Sequence, residues 1–162
     1  IPHGVADQRP IEDRNDMLVY TTEPLGRDIE VTGPITVKLF ASTTADDTDF
    51  TAKLVDVHEN GYAQNIQDGM IRARFRTSRK YPSRIYPDQI YQYDIDLWST
   101  SHVFLAGHSI RVEISSSNFP RFDRNPNTLS KLGVDTKMLS AKQNIYHSSE
   151  FPSHIVLPII ST

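Results

Sequence analysis

Apolar residues fall on every second position through several stretches of this 162-residue chain. Ile35, Val37, Leu39 and Ala41 alternate with Thr36, Lys38 and Phe40, and Ile71, Ala73 and Phe75 with Arg72, Arg74 and Arg76. Tyr91, Tyr93, Ile95 and Leu97 alternate with Gln92, Asp94, Asp96 and Trp98, and Ile110, Val112 and Ile114 with Arg111, Glu113 and Ser115. A period of two marks strands with one buried face. Further strands are predicted over Met17–Thr22, Phe50–Val57, Asn144–His147 and Ile155–Ile160. In the second of these, the break in alternation at Leu54-Val55 requires a bulge or burial on both faces.

Turn signals separate the runs. Gly33-Pro34 precedes one strand, and Asn60-Gly61 and Asp68-Gly69 suit tight turns that need positive φ. Pro87-Asp88 and Ala106-Gly107 mark two more breaks. The one helical candidate, Thr128–Ala141, has Leu129, Leu132, Met138 and Leu139 on it, but Gly133 interrupts it. Residues 1–16 are polar and hold two prolines, which predicts an extended lead-in before a sandwich domain over 17–162. Many short strands joined by turns predict an all-β antiparallel sandwich or barrel.

Composition narrows the function. With 17 Lys+Arg against 20 Asp+Glu, the net charge of −3 argues against nucleic acid as a partner. The absence of cysteine removes disulfides, thiolate metal sites and a Cys nucleophile. No apolar run reaches the roughly 18 residues of a membrane span, so a soluble chain is expected, with the cytoplasm preferred to secretion. The start, Ile1-Pro2-His3-Gly4, is neither a signal peptide nor a Met, which suggests a processed piece or an excised domain.

Candidate chemistry is sparse. Gly107-His108-Ser109-Ile110-Arg111 begins like a nucleophile elbow but ends in Arg where the elbow wants Gly, and Ser109 opens a strand rather than a helix. Asp46, Asp47 and Asp49 lack the glycine and distal Glu of a calcium loop and read as a turn whose carboxylates bind backbone amides. His3, His58, His102, His108, His147 and His154 show no i, i+4 pairing and read as surface or packing residues, so neither metal nor cofactor is expected. Arg72, Arg74 and Arg76 are expected to pair across a solvated sheet face with Asp94, Asp96 and Glu113. Tyr81, Tyr86, Tyr91 and Tyr93 are expected in the core or an interface. The segment Ser115–Asn127 leaves a strand as a long polar-aromatic loop, the kind of element that holds function.

Several strings, taken in order, resemble one family. They are Asp7-Gln8-Arg9, Arg14-x-Asp16-Met17-Leu18-Val19-Tyr20-Thr21-Thr22, Val31-Thr32-Gly33-Pro34 and the run Asp47–Val57. Asp68-Gly69-Met70-Ile71-Arg72-Ala73-Arg74-Phe75-Arg76, Gly107-His108-x-Ile110-Arg111, Ser115–Asn127 and Pro152–Ile160 complete the set. The ordered set resembles the C-terminal β-sandwich domain of cocaine esterase-like (CocE/NonD) serine hydrolases, the X-Pro dipeptidyl-peptidase C-terminal domain. The family usually has a Gly turn where this chain has Pro87-Asp88-Gln89, and Gly where it has Leu129.

The resemblance implies a jelly-roll sandwich like the galactose-binding-domain fold, here without its first strand and so with an exposed edge or groove. It also implies an upstream α/β-hydrolase domain that holds the Ser, Asp and His of an ester- or amide-cleaving enzyme. The sandwich would then be non-catalytic, pack on that domain, shape its active-site entrance and contribute contacts between copies of the chain. The docking candidates are Asp47, Asp49, Phe50, Asn118, Phe119, Arg121, Phe122, Asp123, Arg124 and Asn125. The alternative is a carbohydrate-binding module that uses Tyr91 or Trp98 as a stacking platform.

Overall fold

The structure, a computed structural model, describes residues 5–131 and 133–160. The start of the lead-in and Leu132 of the helical candidate therefore lie outside the described residues. The chain forms an all-β sandwich, as expected. In order it runs α1 (Arg9–Glu12), β1 (Leu18–Thr21), β2 (Ile29–Thr43), β3 (Asp49–Val57), β4 (Ala63–Arg72), β5 (Tyr91–Phe104), β6 (Ser109–Ser115), β7 (Gln143–Ile145) and β8 (His154–Val156). One antiparallel sheet has the order β1-β6-β3-β4, and the other is β5-β2-β7 with β8 also on β2. β7 and β8 lie along different parts of β2, so the chain's tail acts as one discontinuous edge strand.

The alternating residues supply the core between the sheets. Val31, Ile35, Val37, Leu39, Tyr93, Ile95 and Leu97 of one sheet meet Phe50, Ala52, Leu54 and Ile114 of the other. Each large aliphatic or aromatic side chain so buried contributes roughly 1.5–3 kcal/mol. Tyr93 packs on Phe50 with ring centroids 4.7 Å apart, and burial pushes its phenol well above its ordinary value.

Several strand predictions need correction. Gly33-Pro34 sits inside β2, not ahead of it. The predicted turn Asp68-Gly69 lies within β4, and the strand expected over Ile71–Arg76 ends at Arg72, where Ala73–Phe75 winds into one turn of 3-10 helix. Gly69 answers a packing need: a Cβ there would collide with the backbone oxygen of Asp96 in the opposite sheet. Thr128–Ala141 is irregular rather than helical among its described residues. The register of β3 against β4 does shift between Leu54 and Val55, the bulge position read from the sequence, with the extra residue, Ile66, on β4. β5 continues past Trp98 through a second irregularity, in which Trp98 takes φ 64 and its amide donates to Asp96 Oδ1.

The lead-in crosses the outer face of the β1-β6-β3-β4 sheet. Gln8 N donates to Ala63 O, and Lys53 Nζ to Gln8 Oε1 at 2.6 Å. Arg111 pairs with Glu12 at 2.7 Å. Under this cover Glu113 is 1% exposed, and neither of its oxygens has a protein hydrogen-bond partner. The expectation that Glu113 lies outward on a solvated face is therefore overturned, because the lead-in roofs that face.

Burial first, and the adjacent Glu12 carboxyl second, push Glu113 up to about 8. A raised acid stabilises the fold fully below its unfolded value and loses that contribution as pH climbs through the folded one. Stability to urea should therefore fall between pH 4.5 and pH 8, and Glu113→Gln should flatten that slope. Gly69→Ala should cost about 1–3 kcal/mol by overpacking in the same assay, whereas Gly26→Ala, with open space around it, should change little.

Candidate domain-docking site

The loop that leaves β6 folds back on the turn before β3, and five charged side chains and one amide bind the two together. Arg74 donates through Nε to Asp47 Oδ2 at 2.7 Å, and its amide donates to Asp47 Oδ1. Its two terminal nitrogens donate to the carbonyls of Ser130 and Thr128. Arg72 forms a two-pronged pair with Asp49 at 2.8 and 3.0 Å and reaches Asp123 at 3.3 Å. Asn125 Nδ2 donates to both Asp47 Oδ2 and Asp49 Oδ1.

Asp47 and Asp49 are 0% and 2% exposed. Burial pushes the Asp49 carboxyl up, while pairing with Asp49 holds Arg72 above its ordinary value. A guanidinium on each carboxylate, two-pronged at Asp49 and joined at Asp47 by the Arg74 amide, with the Asn125 amide bridging the two, satisfies charges that would otherwise be costly inside the protein. These partners correct two expectations. Arg72 and Arg74 bind Asp47, Asp49 and Asp123, not Asp94, Asp96 or Glu113, because the 3-10 turn swings Arg74 toward the Asp turn. Arg76 instead donates to the carbonyls of Ala73, Ser83 and Arg84 and lies over the Tyr91 ring. The Asp turn binds one backbone amide, that of Arg74, but guanidiniums are its main partners.

The rest of the loop is fixed from Asp68, which accepts from Asn118 Nδ2 at 2.7 Å and pairs with Arg121 at 2.7 Å. Phe50 is a core residue, 1% exposed. The outward side of the loop is aromatic and basic. Phe119 is 57% exposed with the Arg124 guanidinium 5.2 Å from its ring centre, and Arg121 lies over Phe122. Beside it is a cleft of about 510 Å³, lined by Trp98, Phe122, Arg72, Arg76, Asp94 and Asp96 among others. Tyr81 and Tyr86 are exposed, while Tyr93 is buried as expected.

At the far end of β3 the structure assembles histidines that the sequence left scattered. Asp56, 2% exposed, accepts from His108 Nδ1 and His102 Nε2, each at 2.9 Å. His58 stacks on His108 with centroids 4.3 Å apart. These residues span 52 positions on β3, β5 and two turns, so no spacing rule could have found them. The His108–Asp56 pair has the imidazole–carboxylate contact that a triad would use, but Ser109 is the first residue of β6, with no helix after it.

The sequence profile of the family described as the X-Pro dipeptidyl-peptidase C-terminal non-catalytic domain matches residues 3–156. The chain belongs to this family. It is 50% identical over 160 residues to cocaine esterase of Rhodococcus sp. (strain MB1 Bresler), covering 98% of this chain and 28% of that protein. Among solved structures it is similar to an aminopeptidase from a marine sediment Thaumarchaeota archaeon, with a TM-score of 0.92 and 36% identity over 97% of this chain and 28% of that one. It is also similar to an α-amino acid ester hydrolase, with a TM-score of 0.88 and 34% identity over 96% of this chain and 27% of that one. The family domain thus spans little more than a quarter of its relatives' length. Among the described residues, no helix is long and apolar enough to cross a membrane.

Asn125→Ala would leave Asp47 and Asp49 each short of a buried donor. It should cost roughly 2–3 kcal/mol, the scale of hydrogen bonds to charged groups. The exposed Arg124→Ala should stay within about 0.5 kcal/mol, and denaturant titration of the two variants side by side checks the contrast.

Proposed function

We propose that this domain is the non-catalytic C-terminal part of a serine hydrolase acting on ester or amide bonds, and that it docks on an upstream α/β-hydrolase domain. The observation that supports it most is the match of residues 3–156 to a family described as non-catalytic, in a chain that covers 28% of an esterase to which it is 50% identical. The triad would then lie outside this chain.

The docking face in this reading is the outward side of the 118–125 loop and the cleft beside it. Asp47, Asp49, Asn118, Asp123 and Asn125 hold the loop rigid from beneath, so little ordering entropy is lost when Phe119, Phe122, Arg121 and Arg124 meet a partner. Exposed aromatics flanked by guanidiniums are the residue types that dominate such contacts. A rigid face of this kind would also fix one wall of the active-site entrance.

A second reading, sugar binding, is favoured by Trp98, 63% exposed on the wall of the same cleft.

In the full-length protein, Phe119→Asp combined with Arg124→Glu should lower hydrolytic activity at least severalfold and split or lower the thermal transition. Unchanged activity and melting would remove the docking role. Saturable glycan binding that Trp98→Ala abolishes would assign the cleft to sugars instead.

A further inference from the structure

We propose that Asp56, His58 and His108 form a binding site for a divalent transition metal, with zinc the ion that suits the donors best. One donor atom from each of the three residues lies within 4.8 Å of those of the other two. Two imidazoles and one carboxylate are a familiar set for zinc with water in the fourth position, whereas calcium and magnesium prefer all-oxygen shells.

The hydrogen bonds around the cluster prepare the donors. Gln64 Oε1 can only accept, so its 3.2 Å contact with His58 Nε2 places the His58 proton there and leaves the Nδ1 lone pair free. Among the described residues, His58 Nδ1 has no hydrogen-bond partner. Asp56 Oδ1 and His108 Nδ1, 2.9 Å apart, are separated by about the distance between two ligands of one small ion. On metal binding, His108 would release its Nδ1 proton to solvent and take one at Nε2, so the ring stays neutral and its Nδ1 lone pair faces the ion. Asp56 Oδ2 accepts from His102 Nε2, an outer contact that would fix the plane of a ligating carboxylate.

The His102–Asp56–His108 bridge would suffice to tie the two sheets together without any ion. His58 adds nothing to that bridge, yet it is stacked on His108 at 4.3 Å with the two rings 26° from parallel, and one of its ring nitrogens lies within 4.8 Å of an oxygen of the buried Asp56 carboxylate. Glu59 adds negative charge nearby, with its carboxylate lodged where Gly107 lacks a Cβ. His58 and His108 are both half-buried, so an ion has a path in from solvent. Bound there, it would join the end of β3 to the turn between β5 and β6.

The test is zinc titration of the chelator-stripped full-length protein by calorimetry and metal analysis, with cobalt(II) absorption as the coordination readout. Wild type should bind one more equivalent of zinc than His58→Ala or His108→Ala, or bind it at least tenfold more tightly. Calcium should not compete. Cobalt should give the visible bands of a four- or five-coordinate nitrogen–oxygen site, and these should vanish in His58→Ala. Equal stoichiometry, affinity and cobalt spectra in wild type and His58→Ala would overturn the proposal. His58 lies outside the sheet-to-sheet bridge, so His58→Ala decides the matter if His108→Ala fails to fold.

Discussion

Two carboxylates that almost no solvent reaches, Asp47 and Asp49, set the form of one whole end of this sandwich. Each needs a donor, and the donors come from three different places in the chain. Arg72 ends β4, Arg74 lies in the 3-10 turn that follows it, and Asn125 comes from a loop more than 75 positions after the aspartates. Satisfying them turns the end of β4 into a 3-10 helix and draws the long loop onto the sheet. Removing one partner strands a buried charge, so these pieces hold or fail together. The net stabilisation over an apolar equivalent is small by the same physics. What the network supplies is position, which is what a rigid contact surface requires.

β3 has polar groups at both ends of an apolar middle. Asp49 faces guanidiniums at one end, Asp56 faces imidazoles at the other, and Phe50, Ala52 and Leu54 lie between. Arg stays charged at any ordinary pH, whereas His exchanges protons and binds metals. One end is therefore electrostatically fixed and the other is chemically responsive. The responsive end sits beside the turn at Gly107, away from the aromatic loop that we assign to docking.

Much of the fold was legible because period-two alternation survives wherever one face is buried and the other is wet. Ile35–Ala41 and Ile110–Ile114 are the clear cases. The errors came where that premise failed. Ile71–Arg76 alternates beyond the end of β4 at Arg72 because buried Asp49 and Asp47 hold Arg72 and Arg74 and backbone carbonyls hold Arg76, not because the strand continues. Asp68-Gly69 looks like a turn, but its glycine admits the opposite sheet's backbone. Glu113 reads as outward, and is outward, but a segment a hundred residues earlier covers it. In the site, the loop Ser115–Asn127 stood out by composition, while its inner and outer faces could not be separated. The Asp56 cluster left no trace, since His58 and His108 meet only once β3 pairs with β6, and His102 joins only when the two sheets close.

The left-handed residue in β5 decides which of its neighbours belong to the interior. Ahead of Trp98 the inward residues carry odd numbers, Tyr93, Ile95 and Leu97, and after it they carry even ones, His102 and Phe104. One inserted residue changes the parity of the strand. If β5 ran on as regular strand through Trp98 with every residue kept, the result would be a frameshift in structure without one in the gene. Ser101 and Val103 would turn inward, His102 would face solvent, and Asp56 would lose its partner across the sandwich. Trp98 is thus a spacer as well as a surface aromatic, and the histidine cluster depends on its count before its chemistry.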